Sequence, residues 1–105
     1  MRAFVFRHRR RKTEAHLAVV VKRDDKLVRI RGKCIEISRS GMLAIVDAVP
    51  SADVEVVLEL IVPATGNIVR LPAVANPRRD DQCAFRFLPT NEEEQHMIDS
   101  ELRLL

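Results

Sequence analysis

From His16 onward the chain consists of short runs of β-branched and alternating residues, each cut off by turn chemistry, and this pattern leaves few folds open. Residues 16–22 (HLAVVVK) form the first run. Arg23, Asp24 and Asp25 supply a turn before residues 26–31 (KLVRIR), where apolar and basic side chains alternate with period two. After Gly32, which the changed pattern marks as a bulge with a register shift, residues 33–37 continue that strand. Residues 42–46 and 54–62 (VEVVLELIV) follow, separated by a loop containing Pro50. Residues 68–75 return after a hairpin loop at Gly66, and residues 83–88 (CAFRFL) close the series. Strands this short, joined this tightly, pair as antiparallel neighbours.

Some positions carry more specific expectations. Glu55, Val57 and Glu59 share one face of the longest strand, which should meet solvent. Pro72 cannot donate to a ladder, so its strand should lie at an edge or carry a bulge. Phe85 and Phe87 should face the core. Thr90 with Glu93 has the capping-box spacing, and the acidic run Glu92 to Glu94 suits a helix N-terminus, so a single helix is expected over residues 91–104. Met97, Ile98, Leu102 and Leu105 would fall on one face of it and cover an opening of the β structure. Six strands and a terminal helix predict an all-β domain, a six-stranded antiparallel barrel with one C-terminal α-helix, with a two-sheet sandwich as the competing architecture. Residues 1–15 are read as a basic N-terminal arm and residues 16–105 as the barrel with its helix.

A chain of 105 residues supports one core and one module. It has no apolar run near the roughly 20 residues that span a bilayer, and its start lacks the pattern of a secretory signal, so no membrane insertion and a cytoplasmic location are expected. Cys34 and Cys83 are isolated, with no spacing that completes a metal site, and read as buried reduced thiols. His8, His16 and His96 are scattered and form no catalytic constellation. Neither an enzyme, a metal site nor a cofactor is expected. The formal net charge of +3 is unevenly placed: Arg2, Arg7, Arg9, Arg10, Arg11 and Lys12 supply six positive charges, leaving −3 for the remainder. A clustered arginine arm attracts phosphate through planar, bidentate hydrogen bonds, and equally suits a solvated basic tail.

Between the second and third strands lies Glu36-Ile37-Ser38-Arg39-Ser40-Gly41, a carboxylate, two hydroxyls and a glycine within six residues. A carboxylate accepts hydrogen bonds from a nucleobase edge or an arginine, a hydroxyl both donates and accepts, and glycine lets a ligand approach the backbone. The same residues also make an ordinary turn.

In order along the chain, the arginine arm, the acidic-x-Ser-x-x-Gly turn at Glu36 to Gly41, the short apolar strand, the long strand and hairpin, and the Cys-Ala-Phe-Arg-Phe strand before a helix resemble the PilZ domain family. The resemblance runs from about Arg7 to the helix. It implies a six-stranded barrel that binds the bacterial second messenger cyclic di-GMP, usually as a stacked pair, without a cofactor. An Arg-x-x-x-Arg arm clamps phosphate and guanine there, and an (Asp or Asn)-x-Ser-x-x-Gly turn reads a second guanine edge. Carried onto this chain, Arg7, Arg9, Arg10, Arg11, Glu36, Ser38 and Gly41 are the candidate ligand residues.

Two departures matter. Glu36 is one methylene longer than the family's Asp. The arm spacing is satisfied by Arg7 and Arg11, whereas an arm running directly into the first strand pairs Arg10 with Glu14, which would repel phosphate. Three readings follow: a cyclic di-GMP receptor that relays messenger level to a protein effector in motility or exopolysaccharide control; a degenerate PilZ-like adaptor acting through protein contacts alone; and a small basic barrel that binds nucleic acid. Against the last, the chain has no Trp or Tyr, so its four Phe are the only stacking platforms.

Overall fold

The computed structural model describes residues 11–104, apart from the side chains of Arg11, Met97, Glu101 and Leu102. Its elements are β1 (Arg11–Lys12), β2 (His16–Arg23), β3 (Lys26–Ile37), β4 (Gly41–Val46), β5 (Glu55–Ile61), β6 (Ile68–Pro77), β7 (Gln82–Phe87) and α1 (Glu92–Leu102). All pairings are antiparallel. The order β3-β2-β5-β6-β7-β4 closes through a further β3–β4 pairing, so each of these six strands has a neighbour on both sides. Closure decides between barrel and sandwich, and it removes the exposed edges that would invite further pairing. β1 was not expected as a strand; it lies against the end of β3.

The β2–β3 hairpin shows how local chemistry fixes register. Asp24 and Asp25 take φ of 48° and 63°, between the paired residues Arg23 and Lys26. Two consecutive positive φ values make a type I′ turn, whose twist matches the strands, and Asp tolerates that backbone better than most residues. With register fixed, period two directs Leu17, Val19 and Val21 inward, where all are buried. Cys34 and Cys83 are free thiols in the core, and burial pushes them up to about 12 and about 11. Both therefore stay protonated and chemically quiet.

Gly32 is not the bulge. It pairs regularly with Leu17 and Val46, and the register shift falls three residues later, between Cys34 and Glu36. Glycine is needed at 32 because a Cβ would stand 2.8 Å from the Ile45 carbonyl oxygen and 2.9 Å from Val46 Cγ1. The bulge at Ile35 has a separate result. Cys34 and Ile37 are both core residues although their spacing is odd, so the extra residue turns Glu36 off the core side.

Pro72 is also differently placed from expectation. β6 is an interior strand, and Pro72 stands where the β6–β7 ladder ends: its carbonyl accepts the Leu88 N–H at 2.9 Å, and only one terminal bond is lost to its missing N–H. Phe85 is fully buried and Phe87 packs against the core. Glu55 and Val57 face solvent as expected, while Glu59 is held between Arg29 Nε at 3.0 Å and Arg70 Nε at 3.1 Å.

These two arginines, Arg29 foremost, hold the Glu59 carboxyl below the ordinary glutamate value. A depressed folded value contributes stability that is present above the unfolded value and is lost as pH falls through the folded one. Acid titration of stability should therefore show a component in that window that Glu59→Gln abolishes. Because both arginines stand in solvent, it should amount to no more than about 1 kcal/mol and shrink in salt.

Helix α1 is capped one residue later than expected. Asn91 Oδ1 accepts the Glu94 N–H at 2.7 Å, and the first helical bond runs from Gln95 N–H to the Asn91 carbonyl. Thr90 instead donates its hydroxyl to Gln95 Oε1 at 3.0 Å. Ile98 is buried against the barrel; the side chains of Met97, Leu102 and Leu105 lie outside the described residues. Asn91→Ala should cost about 1 kcal/mol of helix stability, read as roughly fivefold faster hydrogen exchange at the helix amides, with Thr90→Ala milder.

Candidate functional site

The end of β3, the turn to β4 and β1 form one corner of the barrel. β1 pairs Arg11 with Ile37 and Lys12 with Glu36, and the pairing continues through a Thr13 N–H bond to the Ile35 carbonyl at 3.1 Å. Backbone hydrogen bonds thus bring the C-terminal end of the basic arm against the acidic end of the turn. On its other side the turn leads into β4, where Gly41 pairs with Arg86 of β7 and Glu36 with Leu43. Lys12, Arg39 and Arg86 are all exposed around this corner and outnumber the carboxylates of Glu36 and, beside Arg39, Asp99, which suits it to an anion with hydrogen-bond donors of its own.

Ser38, 6% exposed, is the buried polar residue of the described chain, and its hydroxyl is fully used inside the turn. Oγ accepts the Ser40 N–H at 3.2 Å, shares a hydrogen bond with Ser40 Oγ at 3.0 Å and donates to the Gly41 carbonyl at 3.4 Å. The Ser38 N–H also donates to that carbonyl, at 2.9 Å. A hydroxyl with one proton and two lone pairs has nothing further to offer. Ser38 shapes the turn; the groups that face outward from it are Glu36, Arg39 and the backbone.

Arg39 leaves the turn toward α1, where its Nη2 lies 3.5 Å from Asp99 Oδ2. Asp99 Oδ1 accepts Gln95 Nε2–H at 2.9 Å, and Gln95 in turn accepts from Thr90. A polar chain therefore links the turn to the base of the helix. No group of His, Cys, Asp and Glu among the described residues could hold a metal ion, and none of their helices is long and apolar enough to cross a membrane.

Comparison with protein-family profiles and with curated proteins finds no match. Solved structures do match. The chain superposes on the PilZ domain of CeSA from a cellulose-synthesizing bacterium with a TM-score of 0.69 and 18% identity, over 91% of this chain and 93% of that one. The fold is that of a PilZ domain. The PilZ domain of YcgR from Escherichia coli, solved with c-di-GMP, gives a TM-score of 0.68 at 15% identity, over 93% of this chain and 92% of that one.

Within this PilZ fold the sequence-predicted residues fall into two groups. Glu36, Ser38 and Gly41 share the turn, and the backbone of Arg11 lies beside it in β1. Arg7, Arg9 and Arg10 lie outside the described residues. Glu14, which one arm register would set among the phosphate ligands, is exposed and 3.8 Å from Lys33 on the neighbouring strand. Sequence reasoning missed Arg39 and Arg86 and counted Lys12 only as charge. Arg86 alternates outward in CAFRF, but its placement opposite Gly41 is a matter of register between distant strands, which one sequence does not carry.

Proposed function

We propose that this domain is a c-di-GMP receptor whose basic arm and Glu36–Gly41 turn together bind the nucleotide and pass its level to a protein partner. The observation that carries this reading is the β1–β3 pairing, which sets Arg11 and Lys12 in register with Ile37 and Glu36. A cyclic dinucleotide bears two phosphodiester charges and guanine edges rich in N–H donors. Arginines of the arm, Arg10 and Arg11 with Arg7 or Arg9, take the phosphates and stack on the bases, and Glu36 accepts from a guanine edge. The YcgR domain, solved with c-di-GMP, supports the choice of ligand. Titration calorimetry with c-di-GMP tests it: saturable binding is expected, and its absence moves the domain to the adaptor class. That second reading, a PilZ-like adaptor working through protein contacts, is favoured by the spent hydroxyl of Ser38.

Variants in the turn separate reading from scaffolding. Glu36→Asp should preserve binding, and Glu36→Ala should cost roughly 1 to 3 kcal/mol of affinity with little change in melting temperature, since it removes an acceptor from a bound guanine edge. Ser38→Ala should reverse the balance, losing about 1 kcal/mol of stability because the Ser40 N–H loses its acceptor, with a smaller effect on affinity. Equal and small stability changes in all three variants, with affinity untouched, would make the turn purely structural.

A further inference from the structure

The outer face of β2, β3, β5 and β6 carries a feature that the nucleotide reading does not use. Arg29, Val20, Val57 and Pro72 lie in one register row across these strands, with Ala18, Glu59 and Arg70 in the adjacent row. Arg29 reaches across β2 to Glu59, and Arg70 meets the same carboxylate from the other side, each through Nε. The Glu59 side chain is 14% exposed while those of Arg29 and Arg70 are 61% and 63% exposed, so one covered carboxylate holds two guanidinium groups out toward solvent. Each guanidinium keeps four Nη–H donors beyond the Nε bond. Below them is a groove of about 470 Å³ with an aliphatic floor that includes Val20, Val57, Pro72 and Leu88. Leu27, which also lines the groove, and Val57 are 67% and 37% exposed, so the apolar surface reaches solvent.

We propose that this groove is a docking site for an extended acidic segment of a protein partner, its carboxylates taken by Arg29 and Arg70 and its alternate apolar side chains set on Val20, Val57 and Pro72. Charge complementarity selects the occupant. Lys22, Arg29 and Arg70 outnumber Glu55 and Glu59 in the lining, and because an extended segment turns every second side chain to the surface it lies on, one whose surface-facing positions alternate carboxylate and apolar group sets the first on the arginines and the second on the floor. A nucleic acid fits less well, because the floor is aliphatic with no aromatic ring to stack on. The groove is also separate from the turn: Arg29 and Glu36 are seven residues apart on β3, about 20 Å at strand rise.

The test is a titration of the isotope-labelled chain, followed by amide chemical shifts, with a short synthetic peptide of the repeat Glu-Ser-Leu-Ser, which sets glutamate and leucine by turns on one face of an extended strand. Shifts confined to Val20, Arg29, Val57, Glu59, Arg70 and Leu88 are expected, with at least about tenfold weaker binding in Arg29→Ala/Arg70→Ala. Val57→Glu, which keeps both arginines and changes an exposed floor position, should weaken binding as well, and serves if the double variant fails to fold. No localised shift at millimolar peptide overturns the proposal. So does equal binding of the lysine–leucine analogue, a preference of this face for a single-stranded oligonucleotide or for phosphatidylglycerol vesicles, or self-association of the chain through this face in sedimentation. None of these outcomes depends on whether c-di-GMP binds at the turn.

Discussion

Replacing Arg10 and Arg11 together by alanine is expected to weaken c-di-GMP binding at least tenfold while leaving the barrel folded. Charge-assisted arginine contacts to phosphate are worth roughly 1.5 to 3 kcal/mol each when water is excluded, and a factor of ten costs about 1.4 kcal/mol, so the loss of one well-made contact suffices. The second arginine gives margin against solvent screening, which acts over about 8 Å at physiological salt. Stability should hardly respond, since β1 is joined to β3 through backbone bonds that alanine preserves. Calorimetry for affinity and circular dichroism for folding read the two quantities separately. An unchanged affinity would make the arm a solvated tail and leave the adaptor reading in place.

What could be read from the sequence was what depends on near neighbours. Period two and turn chemistry located the six long strands because each is a local pattern, and Asp24-Asp25 marked its hairpin because a two-residue turn needs residues that tolerate positive φ. The helix start was misplaced by one residue for a reason that is also local: Thr90–Glu93 and Asn91–Glu94 both have the capping-box spacing, and the choice between them depends on where the chain leaves β7. Gly32 drew the bulge that belongs to Ile35, because a glycine forced by close approach to Ile45 looks the same in sequence as a glycine at an irregularity. The candidate turn was legible as a contiguous motif. Its neighbours Lys12 and Arg86, and the Arg29–Glu59–Arg70 bridge, come from strands far apart in the chain and depend on register that only closure of the barrel sets.

The largest stability loss is expected from Phe85→Ala. Phe85 is fully buried and pairs with Met42 on one side and Ala75 on the other, while Met42 also pairs with Ile37, giving one inward layer across β3, β4, β7 and β6. A ring beside Ala75 fills space that its small neighbour leaves, and among the described residues no other fully buried side chain is larger. Removing it loses the burial of the ring and leaves a cavity that a closed barrel, with every long strand held on both sides, collapses into poorly; the cost is about 3 to 5 kcal/mol. Against a total of roughly 5 to 15 kcal/mol for a domain, that is a large share. The same layer supports the candidate site, because Ile37 precedes Ser38 and Met42 follows Gly41, so the turn is anchored at both ends in side chains that touch this layer. Urea denaturation should show a midpoint lowered by at least about 1 M with little change in slope, read by far-ultraviolet circular dichroism because the chain has no Trp or Tyr. Phe85→Leu, which refills most of the volume, should recover the greater part of the loss. A Phe85→Ala midpoint within experimental error of the parent would mean that this layer is not packed as described, and the anchoring of the turn would fall with it.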